Sequence, residues 1–482
     1  LPAPLFAQPG EEPMAADFGP LPAIDTPAAT AILEAAEGVP VTLGEALAIA
    51  MEANEGLRAH RALIEAAEGG LRAARASYWF SLDATYRGRQ TNTFPDPDLS
   101  QIPGGEDIAG SFSQEDWINT LEFALVQPLP VFGTQRLIVR AADLELGRQE
   151  AVFVEQAQEL RQRVVSAFYR AQLAQRALEV REAEVDRNET NLGLARSRFE
   201  AGVSPRFDVT RAEVQLLNAR DSLIQARRGA ALALLAFQDL LGGEEAYVPG
   251  ATETAEASVP VLPREWDPMA VTDAVALAQR NRPEILQLRL AEDLRSTELS
   301  LTKRRPSLGL AGTLNYSDQE SSFTGANSTT IALQMTIPLW DGGRDRGEIQ
   351  QGEAEQEAIR INLEAAEQGI ALEVQDAVMA LQEAAARLET ARRTEEQAAE
   401  ALQMAQAGFD EGVLIYLDLL TAQHELTAAQ LNRLNAATDL AVAEAELVRA
   451  LGFLDPAQAA AALVALEGSP LKRGVGEGEV AQ

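Results

Sequence analysis

The residue types that could do chemistry in this chain are mainly carboxylates: 73 Asp and Glu stand against 40 Lys and Arg, two His and no Cys. His60 and His424 lie far apart in the sequence, and for His424 a packed or surface role is favoured over a ligand role. The sequence contains no phosphate-binding loop, no HExxH zinc motif and no plausible nucleophile triad. We therefore expect no enzymatic activity, no cofactor and no metal site.

The balance of charge favours cations over anions as partners. A formal net charge of −33 at pH 7 argues against nucleic-acid binding, because phosphates need a basic surface. An acidic chain attracts cations, although the same charge also serves to solvate a large surface. The lack of cysteine excludes disulfides and thiolate ligands.

Two carboxylates occupy equivalent places in a repeated motif. The stretch "FEAGVSPRFDV" starts at Phe199 and "FDEGVLIYLDL" starts at Phe409, and each has Gly-Val and then an Asp six residues after the Gly. The Gly permits the positive φ that ends a helix and reverses the chain. Asp208 and Asp418 then fall in the first turn of the returning helix, where free N–H groups favour a carboxylate. The sequence leaves two roles open for both, one in starting a helix and one in a charged functional site.

The motif belongs to a duplication of about half the chain. The stretch "QPLPVFGTQR" around Gly133 matches "IPLWDGGRDR" around Gly343, at the same offset of 210 residues as the two motifs. Upstream, "LGEALAIAMEANEGL" resembles "VTDAVALAQRNRPEI" at an offset of 227, which pairs Asn54 with Asn281 and implies an insertion of about 17 residues in the first copy. A period near 210 is too long for a solenoid repeat and indicates tandem duplication.

Four segments alternate between apolar and polar residues with the period of a strand: "FSLDATYRGR", "NTLEFALVQP", "SLGLAGTLNY" and "TTIALQMTIP". This alternation alone also fits a soluble sandwich. The long polar loops, and the positions of Trp79, Trp117 and Trp340 near strand ends, favour a sheet that spans a membrane. Four strands cannot close on themselves, so several chains must share one closed sheet.

The longest elements are helical hairpins. The stretches from Gly133 to Gly202 and from Gly343 to Gly412 are free of Pro, and as helices each would extend about 100 Å. The returning helices carry heptad seams, with large apolar residues in one seam and mostly Ala in the other. Arg433 interrupts the large apolar seam of the second copy. The pattern predicts two antiparallel hairpins, each with the repeated motif at its tip.

Over roughly residues 41–455 the chain resembles the TolC family of outer-membrane efflux proteins. The resemblance is carried by the two tip motifs, the two strand-to-helix corners and the ordered duplication. It implies a mainly α fold with membrane β-strands, internally duplicated, with two long antiparallel coiled-coil hairpins and four strands per chain. The strands would contribute to a trimeric 12-stranded β-barrel that a helical barrel continues. The implied location is the outer membrane of a Gram-negative-type cell, with a large periplasmic extension.

Read with this resemblance, the sequence divides into two repeats and their connections. Repeat 1 is predicted over 41–250, with a helix at 43–75, strands at 78–91 and 117–128, and long helices at 134–201 and 206–242. Repeat 2 is predicted over 269–455, with a helix at 270–303, strands at 306–317 and 328–338, and long helices at 343–411 and 416–452. Outside the repeats we expect an extended N-terminal arm (1–40), a linker (251–268) and a C-terminal equatorial segment and tail (456–482).

The function that the resemblance implies is passive conduction out of the periplasm. The implied partners are two further copies of the chain, a periplasmic adaptor (membrane-fusion) protein, an inner-membrane pump and outer-membrane lipid, but no nucleic acid. Drugs, metal ions and polypeptides all stay open as cargo. The alternative is a periplasmic coiled-coil adaptor or scaffold protein. An adaptor should have one hairpin rather than two, and a scaffold would not need the four strands.

The resemblance also places the site at the hairpin tips. Its residues form a pore gate and a region for the tip latch and adaptor docking. The gate is Asp418, Thr421, Tyr416 and Phe409, and the latch and docking region is Phe199, Gly202, Val203, Ser204, Arg206, Phe207, Asp208, Gly412, Val413 and Leu414. The chain departs from the family pattern at two positions, because Leu414 replaces a basic latch residue and Thr421 replaces a second pore Asp. We therefore expect one acidic ring and a differently built latch.

Overall fold

The computed structural model of the chain describes most of the sequence, with gaps near the termini, in the linker and at the corners and loops of the sheet. The described residues are 27–35, 38–93, 114–128, 133–243, 245–250, 268–304, 309–320, 326–336 and 340–454. The linker predicted at 251–268 lies almost wholly outside these ranges, and the C-terminal segment predicted at 456–482 lies entirely outside them.

Within the described ranges, the two copies run through helices, two strands and a long helical hairpin in the same order. The elements are α1 (Pro27–Ala35), β1 (Val39–Val41), α2 (Leu43–Ala53), α3 (Glu55–Ala76), β2 (Ser81–Thr93), β3 (Gln114–Pro128), α4 (Thr134–Glu200), α5 (Arg206–Leu241), β4 (Tyr247–Pro249), α6 (Pro268–Asn281), α7 (Pro283–Arg304), β5 (Gly309–Glu320), β6 (Ala326–Thr336), α8 (Arg344–Asp410) and α9 (Tyr416–Ala450). The predicted mainly α, internally duplicated fold class is confirmed.

The hairpins are held by the heptad seams. All five seam alanines of α9 are buried, at positions 422, 429, 436, 443 and 450, so α8 and α9 approach closely. Arg433, which interrupts the other seam, forms an ion pair with Glu395 of α8. The guanidinium is thus neutralised across its own hairpin, which explains how a charge is tolerated at this position.

In the described ranges, the sheet, the helices next to it and the hairpin half each form a layer that is four elements wide. The strands pair antiparallel in the order β2–β3–β5–β6, with Leu125 opposite both Leu82 and Leu314. Near the sheet the helices lie in the order α3–α4–α7–α8, and in the hairpin half in the order α5–α4–α9–α8. No helix in the described ranges has both the length and the apolar character needed to cross a membrane.

The helices predicted at 43–75 and 270–303 are each broken, which corrects two expectations. Asn54 has a non-helical ψ of 125° and caps α3, because its side chain accepts the Leu57 N–H. In the second copy the break falls at Arg282, just before Pro283, whose ring disfavours a helical conformation in the preceding residue. Asn54 is therefore equivalent to Arg282 rather than to Asn281, and the offset is 228 rather than 227.

The predicted extended arm at 1–40 also needs correction in its described part. Residues 27–35 form helix α1, which packs against α5. Residues 39–41 form β1, which pairs in parallel with β4. Its Val41 C=O accepts the Gly250 N–H, and the Gly250 C=O accepts a hydrogen bond from the side chain of Gln172. The end of the arm therefore ties the segment after α5 back onto α4.

The two copies anchor their helix breaks at equivalent places with different chemistry. In the first copy, Asn54 Nδ2 donates to the Leu240 carbonyl at 3.1 Å. In the second copy, Arg282 Nε donates to the Ala450 carbonyl at 2.8 Å, and Arg282 is only 3% exposed. The same guanidinium lies 2.6 Å from Glu373, which also pairs with Arg449. We call this group of Arg282, Glu373 and Arg449 the ionic clasp.

The ionic clasp stabilises the root of the second hairpin, and its removal is testable. Glu373→Gln removes the negative charge that Arg282 and Arg449 share, while Arg282 keeps its contacts with Glu284 and the Ala450 carbonyl. Breaking a buried pair costs up to about 5 kcal/mol, and because Glu373 is partly exposed we expect about 2 kcal/mol. The midpoint of thermal unfolding, followed by circular dichroism at 222 nm, should fall accordingly.

The matched control is Glu389→Gln on the same helix. Its partner Arg393 is exposed, and such pairs contribute at most about 1 kcal/mol. Equal losses in the two variants would show that the clasp is an ordinary surface contact.

Candidate functional site at the hairpin tips

Each hairpin tip is built around a glycine in the left-handed conformation. Gly202 has φ 71° and Gly412 has φ 76°. The following N–H turns back to the helix end, from Val203 to the Arg198 carbonyl at 3.0 Å and from Val413 to the Gly408 carbonyl at 2.8 Å. These bonds satisfy carbonyls that a helix end leaves free, so the sequence can reverse there within five residues.

Leu414 packs within its own hairpin. A Cβ added at Gly408 would lie 2.8 Å from Leu414 Cδ1, so the leucine side chain covers that glycine. Its amide also donates to the Gly408 carbonyl at 3.0 Å. At the position where the family pattern has a basic residue, this chain therefore has an apolar cover for the helix end.

Asp418 has a helix-start role and also stays accessible. Its Oδ2 accepts the Ile415 N–H at 3.2 Å, while the residue as a whole is exposed. Thr421, one turn along the same helix, is exposed, and its hydroxyl donates to the Leu417 carbonyl at 2.9 Å. The two roles that the sequence left open for Asp418 are thus compatible, because a capping carboxylate keeps free lone pairs.

Phe409 and Tyr416, the other two predicted gate residues, pack between the hairpins. Phe409 is buried, and its ring centroid lies 5.9 Å from that of Tyr416. The guanidinium of Arg198, from the first hairpin, lies 4.4 Å from the Phe409 centroid, in the range of a cation–π interaction. The Tyr416 hydroxyl donates to the Asn191 carbonyl at 3.4 Å. The structure therefore separates the predicted gate into an exposed polar pair and a packed aromatic pair.

A polar ladder continues this contact away from the tip. Asn191 Nδ2 donates to Gln423 Oε1 at 2.8 Å, and one turn further on Arg187 Nη2 donates to Thr427 Oγ1 at 2.9 Å. Sequence reasoning missed these four residues and Arg198. The only available signal was the four-residue spacing of polar side chains on both α4 and α9, which places each pair on one helix face.

The outer end of the tips presents exposed apolar side chains. Val203 and Phe207 are 76% and 67% exposed, and Val413 and Ile415 are 75% and 63% exposed. Of these four, only Ile415 was not predicted. Phe199 is partly exposed, and Ser204, Arg206 and Asp208 lie in or next to the same turn. The tips therefore expose an apolar surface that the chain itself does not cover.

The first hairpin has a ladder of ion pairs that the second lacks. Three pairs recur every seven residues along α4 and α5, Glu182–Arg227 at 3.7 Å, Glu189–Arg220 at 2.8 Å and Arg196–Glu213 at 2.9 Å. The equivalent positions of the second hairpin hold Arg392 with Ala437, Ala399 with Gln430, and Gln406 with Gln423. None of these three pairs of residues combines opposite charges, so the ladder is not repeated across the second hairpin.

Burial at the tip changes the acidity of one side chain. Burial, assisted by the negative charge of Asp208, raises the pKa of Tyr416 to about 12, although Arg198 acts in the opposite direction. The hydroxyl therefore stays protonated and able to donate over the whole physiological range. Elsewhere in the described ranges, no group of three or more His, Cys, Asp or Glu side chains could hold a metal ion.

Comparison with known proteins places this architecture among outer-membrane proteins. The chain matches the family described as "Outer membrane efflux protein" over residues 46–243 and 274–453. It is 26% identical to the outer membrane protein TolC of Vibrio cholerae over 307 residues, which cover 61% of this chain and 67% of that protein. It is also 26% identical to the alkaline protease secretion protein AprF of Pseudomonas aeruginosa, over 75% of this chain and 74% of that protein.

The fold also matches a solved structure. The crystal structure of the CmeC outer membrane channel of Campylobacter jejuni superposes with a TM-score of 0.73 at 13% identity, covering 85% of each chain. At this identity the likeness supports the fold alone.

The state of Tyr416 predicts a pH dependence of the tip contact. Because its folded pKa of about 12 exceeds the ordinary value of about 10, the neutral hydroxyl stabilises the folded tip. That contribution is complete below about pH 10 and is lost as the pH rises through about 12. The difference in absorbance at 295 nm between the parent and Tyr416→Phe should show one tyrosine titrating near pH 12. A midpoint near pH 10 would mean that Tyr416 is solvated and that the inter-hairpin contact is absent.

Proposed function

Because the chain belongs to the outer membrane efflux protein family, we propose that it forms a homotrimeric exit duct that is closed at its hairpin tips. Family membership gives the coarser function directly: the protein is an outer-membrane channel that conducts substrates out of the periplasm in an efflux or secretion system. The predicted resemblance and location are confirmed. The family is one of channels rather than enzymes, and the alternative of a periplasmic adaptor or scaffold has no support among the matched proteins.

The main support for a trimer comes from apolar stripes on the two edge helices, α5 and α8. On α8, the exposed residues Ile361, Leu372, Met379 and Met404 are separated by close to whole helical turns and so share one face. This face lies about half a turn from the residues of α8 that pack on α9. On α5, Val214 and Leu232 are five helical turns apart and form a similar stripe facing away from α4. Each stripe is uncovered in one chain and fits the other stripe in a neighbouring copy.

The sheet has the same open edges, because among the described strands β2 and β6 each pair on one side only. An unpaired strand edge inside a membrane would leave backbone groups without partners. Three chains would join β2 to β6 and α5 to α8 at every boundary. One threefold rotation would then produce a closed sheet of twelve strands and a closed ring of twelve helices.

The trimer predicts a specific effect of charges in the α8 stripe. The variant Leu372→Asp/Met379→Asp should lower the trimer fraction of the detergent-solubilised protein by more than about tenfold, because burying each unpaired charge costs several kcal/mol. Light scattering coupled to size-exclusion chromatography would measure the mass. Leu286→Asp serves as the control. Leu286 is similarly exposed, but it lies on α7, which has helices of its own chain on both sides and therefore does not form a boundary between chains. A parent that elutes as a monomer, or a stripe variant that stays trimeric, would contradict the proposal.

In such a trimer the three Asp418 side chains would form the gate. Like charges brought together in this way attract cations. A ring of carboxylates of this kind passes or binds cations and slows anions. Thr421 lies one turn further along α9 and carries no charge, so we propose a single acidic ring.

The second hairpin, which carries Asp418, is the better candidate for the moving part. Its tip half lacks the ion-pair ladder of the first hairpin, and its contact with that hairpin uses a few replaceable groups. These are the Arg198–Phe409 contact, the Tyr416–Asn191 hydrogen bond and the two rungs of the polar ladder. We propose that they form the latch that holds the gate closed.

The efflux or secretion role implies work with an adaptor and an inner-membrane pump. We propose that the adaptor docks on the exposed apolar tip, at Val203, Phe207, Val413 and Ile415. Apolar residues at the centre of a contact supply most of its binding energy. Docking there would also bring the adaptor next to the latch, which lies within the first turns above the tip.

The gate is tested by conductance of the purified protein in planar lipid bilayers. The parent should show a small, cation-selective conductance that trivalent cations block. Asp418→Asn should lose most of that block, because the charge is removed while a capping side chain is kept. Asp410→Asn, a nearby exposed carboxylate on α8, should leave the block unchanged. Equal block in the parent and in Asp418→Asn would restrict Asp418 to starting the helix.

A further inference from the structure

Basic residues are concentrated where the helices meet the sheet. Three helix ends in this region carry two basic residues each and no carboxylate, at residues 70–76 of α3, 134–140 of α4 and 301–304 of α7. We call these six the basic collar: Arg72, Arg75, Arg136, Arg140, Lys303 and Arg304. All six are exposed. In a chain of net charge −33, such a cluster indicates a local function.

The basic collar is continuous across neighbouring helices. Helices α3 and α7 both pack against α4, and a Cβ at Gly133 would lie 3.5 Å from Arg304 Nη1. Each helix end is also within a few residues of a strand, since α3 precedes β2, β3 precedes α4 and α7 precedes β5. The six side chains therefore lie together just below the sheet.

Helix electrostatics account for only part of the basic collar. Cations are favoured at a helix C-terminus, which explains the basic residues that end α3 and α7. Arg136 and Arg140 lie in the first two turns of α4, where the helix dipole disfavours them. Other helices of the chain begin with carboxylates, such as Glu45, Asp208 and Asp418. In the described part of the chain, no carboxylate lies within ion-pair distance of Arg136 or Arg140.

Exposed aromatic residues lie at the same level. Trp79 is 72% exposed and Trp340 is 88% exposed, and Tyr78 and Phe80 are also exposed. Aromatic side chains of this kind collect at the headgroup level of a membrane. Basic and aromatic residues together therefore mark the boundary between the sheet and the periplasmic helices.

We propose that the basic collar binds the anionic headgroups of phospholipids in the periplasmic leaflet of the outer membrane. This rests on the sheet crossing that membrane, as the proposed function requires. The phosphates neutralise Arg136 and Arg140, for which the described ranges offer no carboxylate within ion-pair distance, whereas Lys303 of the collar already pairs with Glu353 at 2.9 Å. Binding of these phosphates also fixes the position of the duct along the membrane normal, because the basic collar lies on one side of the sheet only. Each basic residue near an anionic surface contributes about 1 kcal/mol at low salt, or about fivefold in association.

The test uses the full chain reconstituted in phosphatidylcholine vesicles, with a trace of spin-labelled phosphatidylglycerol or phosphatidylcholine. Electron paramagnetic resonance gives the fraction of each label held at the protein. We expect phosphatidylglycerol to be preferred by about fivefold in 50 mM NaCl and the preference to disappear in 500 mM NaCl. Arg75→Gln/Arg136→Gln/Arg140→Gln should remove most of the preference at low salt.

The matched control changes the same charge far from the sheet, as Arg228→Gln/Arg387→Gln/Arg393→Gln. It should leave the preference intact, because these residues lie in the hairpin half. No preference in the parent, or an equal loss in both variants, would overturn the proposal. Insertion into pure phosphatidylcholine is measured first, and a parent that does not insert would overturn both the membrane-crossing sheet and the collar. A parent that inserts without lipid preference would overturn the collar alone.

Discussion

The structure depends on a layer that is four elements wide and open at both edges. The sheet ends at β2 and β6, and the helical layer ends at α8 on one side and at α3 or α5 on the other. Strand edges need backbone partners and the helical edges carry apolar stripes, which supports our proposal that another chain covers both edges. The sheet and the helical layer are each four elements wide in every chain, so the same rotation between copies can join the edges of both. The closed trimer that we propose would turn a thin, elongated chain into a duct.

The duplication supplies two hairpins of the same design that differ in charge. The first has the ladder of three ion pairs along its length, and its root is held by the neutral Asn54. The second has the ionic clasp at its root and the Arg433–Glu395 pair along its length, but between that pair and the tip the corresponding ladder positions hold only Ala and Gln. A hairpin that is fixed at its root and has few cross-links near its tip can move at the tip while the other helices of the layer stay in place. This difference supports our proposal that the moving tip belongs to the copy that carries Asp418.

Features that depend on residues close together in the sequence could be predicted, whereas features that depend on contacts between distant residues could not. Regular patterns specify the long helices and the tips, because heptad seams and turn glycines act over a few residues. The break at Arg282 was missed although Pro283 is a local signal for it, whereas the anchoring of the Arg282 guanidinium on the distant Ala450 carbonyl leaves no local pattern. The packing of Phe409 and Tyr416 between hairpins likewise depends on Arg198 and Asn191, more than 200 positions earlier. Leu414 could be identified as a departure, but its contact with Gly408 required the three-dimensional turn.

The proposed trimer is best tested by a cryo-electron microscopy map of the full chain in lipid nanodiscs. We expect three copies around one axis, with α5 of each chain against α8 of the next. We also expect the narrowest point of the lumen to lie at the three Asp418 side chains. A single chain, an assembly without threefold symmetry, or a closed trimer whose constriction is formed elsewhere would contradict it.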